Sequence, residues 1–154
     1  MLTSTRGTLR ALSFTRLPHP RLLFGASDIP VLRERAAERP GMLDRVRAQA
    51  AELMASPGGQ VDTLQPYISG IEGVAVAQAH VLTSDDAMAA WVKARVQALL
   101  AMDTWLSPVH VGVCRVCDHV MANVASEVAQ MHDLLGDAWP PGETADLVAG
   151  LRRL

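Results

Sequence analysis

AHVLTSDDAMAAWVKARVQALLAMDTW, Ala79 to Trp105, decides the fold class of this 154-residue chain. Its first residues end one apolar helical pattern, and Ser84-Asp85-Asp86 opens the next. Short acids at that place cap a helix and suit its positive end. Met88, Trp91, Val92, Val96, Leu99 and Leu100 then fall on one face at helical spacing. A helix, a turn of two or three residues and a second helix are therefore written into one stretch.

The same rhythm extends in both directions. Upstream, Ser27 or Asp28 can cap a helix with Pro30 in its first turn, running to about Glu38 and stopping before Pro40-Gly41. A second helix is expected over Met42 to Ala55, with Leu43, Val46, Ala50, Leu53 and Met54 on one face. Ser56-Pro57-Gly58-Gly59 ends it. Ile71, Val74, Ala77, Val81 and Leu82 mark a third, with Gly73 in its first turn. Downstream, Asp103 to Arg115 reads as a long loop around Pro108. Val116, Val120, Val124, Val128, Met131 and Leu135 mark a fifth helix, closed by Gly136-Asp137. Trp139-Pro140-Pro141-Gly142 reads as a rigid connector, and a last helix starts near Glu143 with Leu147, Val148 and Leu151. The expected fold class is all-α, built from antiparallel helix pairs. A bundle, a solenoid and an arc of an α/α toroid all satisfy the periodicity.

Composition narrows the function classes. The formal net charge is -2, which excludes a broad nucleic-acid footprint. Positive charge is almost all arginine, with Lys93 the single lysine. No run is long and apolar enough to span a bilayer. Residues 1–18 read as a flexible leader, and 19–154 as one helical domain. The leader carries Arg6, Arg10 and Arg16 but lacks the apolar core of an export signal, favouring a cytoplasmic over a periplasmic chain. Two cysteines, Cys114 and Cys117, make no secreted disulfide scaffold.

Three phrases, in order, carry a family resemblance. HPRLLFGASDIPVLRERAAERPGM, His19 to Met42, resembles the opening of the N-terminal toroid of the heparinase II/III-like polysaccharide lyases. LTSDDAMAAWVKARVQALLAMDTW resembles a later phrase of that toroid, with Ala87 to Ala89 in place of its usual aromatic. CDHVMANVASEVAQMHDLLGDAWPPGETADLVAGLRRL resembles the continuation. There Asp118 aligns with the first acid, and Met131-His132-Asp133 keeps only the acid of an Ala-Tyr-Asp unit. The resemblance implies a partial α/α toroid over 19–154. It also implies a β-sandwich partner domain, uronic-acid polysaccharide or oligosaccharide as ligand, and β-elimination as the chemistry. In that reaction a polar group neutralises the uronate carboxylate, a Tyr or His removes the C5 proton, and a Tyr or His protonates the leaving O4. The family's catalytic motifs find no counterpart here. The resemblance therefore assigns no catalytic residue and no cofactor, and the chain reads as catalytically incomplete by itself.

Candidate site residues remain. Trp105, after a helix and before a loop, could offer an aromatic platform to a sugar face, against packing on the helix pair. His110 and Arg115 could contact a uronate carboxylate, Arg through its bidentate fork, against a solvated loop. His110, Cys114, Cys117 and His119 carry zinc-ligand chemistry, but their spacing matches no common finger. Small structural residues are the plainer account, and no metal is assigned. Tyr67 is the single phenol, at an expected helix start, and reads as structural. His80 and His132 fall within helical patterns, and Arg152-Arg153 suits a helix C-terminus. A stand-alone helical interaction module, with a second copy as partner, and a small metal-binding helical protein built on the His/Cys cluster are the competing readings of the whole chain.

Overall fold

A computed structural model describes Pro20, residues 22–106 and residues 119–152. Among the described residues the chain is all-α, with six α-helices and no strand. The helices are α1 (Ile29–Ala37), α2 (Pro40–Leu53), α3 (Pro66–Thr83), α4 (Asp86–Leu100), α5 (His119–Leu135) and α6 (Pro141–Leu151). Short 3-10 turns, Ala26–Asp28 and Gly136–Ala138, precede α1 and follow α5.

Local chemistry sets the boundaries. Proline occupies the first turn of α1, α2, α3 and α6, where a missing N–H costs nothing. The start of α3 lies well before Ile71, so Gly73 falls inside the helix rather than in its first turn. The Asp62 carboxylate accepts from the Leu64 and Gln65 N–H groups at 2.8 and 3.0 Å and braces the chain entering it. Ser84 ends α3 in the left-handed region, φ 57°, with its N–H donating to the His80 carbonyl at 2.7 Å. Asp85 caps α4 by accepting from the Ala87 N–H at 2.8 Å. Ser84 and Asp85 thus divide the work that the sequence assigned to one capping run. Gly136, φ 50°, closes α5 as a C-terminal glycine should.

The core joins Val76, Ala77, Val92, Val96, Leu99, Val124, Val128 and Met131 from α3, α4 and α5. Helix α3 is its centre, flanked by α4, α5, α2 and α1. The directions of the helices follow from pairs of contacts. Gly70 abuts Glu127 and Gly73 abuts Met131, so α3 and α5 lie side by side and parallel. Lys93 Nζ meets Glu143 Oε2 at 3.3 Å and Leu100 packs on Gly150, so α4 and α6 are parallel too. The hairpin turn at Ser84-Asp85 sets α4 antiparallel to α3. Alternate helices therefore share a layer: α3 with α5, and α4 with α6.

Some apolar surface stays bare. Helix α2 faces α3 across a cavity of about 240 Å³ lined by Val46, Ala50 and Leu53 on one side and Ala75, Ala79 and Leu82 on the other. The same face of α3 one to two turns earlier, Ile68 and Ile71, is exposed, as is Leu64 before it. No helix among the described residues is long and apolar enough to cross a membrane.

Candidate functional site

A polar cavity of about 320 Å³ lies where the 56–62 segment crosses α3 and α4. Gln60, Asp62, Ser69, Glu72 and Arg95 line it, with Ile68 at its edge. The segment lies close because Gly58 has no side chain: a Cβ there would overlap the Trp91 carbonyl. Trp91 donates its indole N–H to the Ser56 carbonyl at 2.8 Å, and Ser69 Oγ accepts from the Asp62 N–H at 2.8 Å. Both bonds hold the 56–62 segment onto the helix pair.

Arg95 is the charged centre of this cavity. It projects from the apolar face of α4 and is 2 % exposed. Its guanidinium stacks 4.4 Å above the Trp91 ring, donates to the Gln60 carbonyl, and lies 3.5 Å from Glu72 Oε2. Its Nε is buried without a hydrogen-bond partner. Burial lowers the Arg95 pKa, and the Glu72 carboxylate partly opposes this. Glu72 is half-buried in the cavity lining. Because Glu72 already neutralises Arg95, the cavity suits hydroxyl-bearing ligands better than a second carboxylate.

A second polar group sits at the seam between α3 and α5. Glu127 is 9 % exposed, its Oε2 lies against Gly70, and that oxygen has no hydrogen-bond partner. Burial pushes its pKa up to about 7. Further along α5, Asp133 accepts from the Leu22 N–H at 2.9 Å and ties the opening segment to the helix. His132 Nε2 lies 3.2 Å from Thr144 Oγ1, and its ring meets Trp139 edge-on at 5.6 Å.

The residues singled out in the sequence scatter. Trp105 is 2 % exposed and donates its indole N–H to the Leu99 carbonyl at 2.7 Å. Its ring caps the end of α4 and offers no open face, which corrects the platform expectation in favour of packing. His110, Arg115, Cys114 and Cys117 lie outside the described residues. His119 begins α5 and is exposed. Among the described residues no group of three or more His, Cys, Asp or Glu side chains could hold a metal ion. Tyr67 is half-buried and donates to Gln65 Oε1 at 3.0 Å, a local structural bond. Arg95 and Glu127 were the residues missed. Each interrupts an apolar helical face, Arg95 between Trp91 and Leu99, Glu127 between Val124 and Met131, and that interruption was the available signal.

Comparison with family models, with curated proteins and with solved structures finds no match to this chain.

Proposed function

We propose that this chain is the N-terminal arc of an α/α toroid in a polysaccharide lyase. The lyase would act on uronic-acid-containing glycans, alginate- or heparin-like, by β-elimination, and this segment alone would be catalytically incomplete. The observation that carries this reading is the direction of the helices. In an up-and-down bundle the close neighbours are antiparallel. Here α3 and α5 are parallel in one layer and α4 and α6 are parallel in the other. Hairpins that add sideways in this manner generate a ring or a solenoid. The bare Leu64, Ile68 and Ile71 face agrees with further packing against the rest of a toroid.

In this reading the cavity around Arg95 and Glu72 supplies part of a glycan-binding wall, hydrogen-bonding sugar hydroxyls. His110 and Arg115 remain the proposed contacts to uronate carboxylates. The coding DNA beyond the Leu154 codon provides the test. A continuation carrying His/Tyr motifs and a β-rich domain, with release of ultraviolet-absorbing unsaturated uronates only by the longer protein, supports the assignment. Cleavage by this chain alone, or no such continuation, overturns it.

One observation favours a second reading, a stand-alone helical interaction module. The outward face of α5 is small and polar: Asn123 and Ser126 are exposed, and Gln130 donates to Ser126 Oγ at 3.2 Å. That edge has the character of finished surface. A discrete dimer by light scattering, with no glycan binding, would select this reading.

A further inference from the structure

We propose that Glu127 is a proton-operated latch on the seam between α3 and α5, closed while its carboxyl group is neutral and loosened when it ionises. The geometry points there first. These two parallel helices approach closely because α3 presents Gly70 and Gly73 to α5. A Cβ at Gly70 would overlap the Glu127 carboxylate, so the carboxyl group fills the space that a side chain would otherwise occupy. Its Oε2 is buried and makes no hydrogen bond. A neutral carboxyl group can stay in such a place. As a carboxylate it would leave Oε2 without water or a donor, so ionisation favours any movement that lets water reach that oxygen.

Among the described residues no neighbouring charge takes over the role of water. From α3, Gly70 and Gly73 are points of close approach to this contact. Of the titratable groups on that helix, Tyr67 donates to Gln65, Glu72 pairs with Arg95, and His80 Nδ1 lies 2.9 Å from the Asp85 carbonyl oxygen. From α4, the stem of Arg95 reaches the Gly73–Met131 contact, but its guanidinium is held by Glu72, Gln60 and Trp91. Lys93 pairs with Glu143, and Asp86 sits in the first turn of α4. On α5 itself, Asp133 accepts from Leu22 and His132 lies beside Thr144, both beyond Met131 along the helix. Asp137, in the turn after α5, is exposed at the far end. Burial alone accounts for the raised pKa of about 7.

The direction of the effect follows. In the unfolded chain Glu127 ionises near its ordinary value of 4.5, and in the folded chain near 7. The folded state therefore holds the proton more tightly. The stability due to the neutral group is complete below the unfolded value and is lost as pH rises from there through about 7. Above that range the seam carries a buried carboxylate.

The decisive experiment follows the Glu127 carboxyl carbon by NMR in the wild-type protein. Folding equilibria are then measured for wild type and Glu127→Gln. The carbon should titrate near neutrality. From about pH 6 to about pH 8.5 the folded-to-unfolded ratio of wild type should fall about tenfold more than that of Glu127→Gln. Amide exchange protection should drop along α3 and α5 before α6. A carboxyl carbon that titrates near the ordinary glutamate value overturns the proposal, as does an unchanged pH dependence in Glu127→Gln. Where Glu127→Gln does not fold, the wild-type titration decides alone.

Discussion

The two seams that join neighbouring helices within each layer are built differently. Between α3 and α5 the backbones meet over Gly70 and Gly73, with Val124, Val128 and Met131 fully buried behind them. Between α4 and α6 two contacts mark the seam. One is the Lys93–Glu143 ion pair, whose lysine also lies 5.8 Å from the Trp139 ring centre. The other is Leu100 on Gly150. An open cavity of about 250 Å³ lies between those helices, lined by Gln97, Leu100, Trp139 and Leu147. The same topological step is thus made once by close packing and once by side chains reaching across a gap. Stability should concentrate in the first seam, and the second should tolerate change.

The largest effect should come from Met131→Ala. Met131 is fully buried against Gly73, and its removal leaves a cavity at the centre of the tight seam. We expect a loss of about 3 kcal/mol in chemical denaturation. A loss under about 1 kcal/mol would mean that the α3–α5 seam is not close-packed. Gly73→Ala tests the same contact from the other side. The added Cβ would overlap the Met131 sulfur, so Met131 must move. Overpacking costs about 1–3 kcal/mol, and the better helix propensity of alanine returns about 1 kcal/mol. The expected net loss is about 1 kcal/mol, with a lower thermal midpoint. Lys93→Ala removes the ion pair of the looser seam. Both partners keep solvent contact, at 24 % and 40 % side-chain exposure, so the loss should be below about 1 kcal/mol and should shrink in high salt.

The hairpin of α3 and α4 was legible because its signals are local. Ser84 and Asp85 sit next to the helices they terminate, and the Met88-to-Leu99 face reports its own burial. The true start of α3 was less visible, because Asp62 and Pro66 set it and the apolar marker Ile71 comes later. The pairing of α3 with α5 was not legible at all. Gly70 and Gly73 read along the chain as residues that weaken a helix, yet in space they are the points of closest approach. Sequence periodicity says which face is apolar but not which helix will meet it. The polar centres follow the same rule. Arg95 and Glu127 stand out as charges within apolar faces, but Glu72, Gln60 and Gly70, which define their surroundings, lie on other segments. Trp105 shows the converse, since a tryptophan at a helix end reads equally well as platform or as packing until its indole is seen bonded to Leu99.

The smallest expected effect gives the sharpest contrast between the seams. Gly150 occupies in α6 the place that Gly73 occupies in α3, a glycine facing the neighbouring helix of its layer. The three atoms nearest a Cβ at Gly150 would be side-chain carbons of Leu100, at 3.1 to 3.3 Å. Leu100 is partly exposed beside the open cavity and has room to shift by a few tenths of an ångström. Alanine favours an interior helical position over glycine by about 1 kcal/mol. The two terms nearly cancel, and Gly150→Ala should change stability by less than about 0.5 kcal/mol in the same denaturation assay. A loss equal to that of Gly73→Ala would show that the α4–α6 seam is packed as closely as the other, and the proposed difference between the layers would fall.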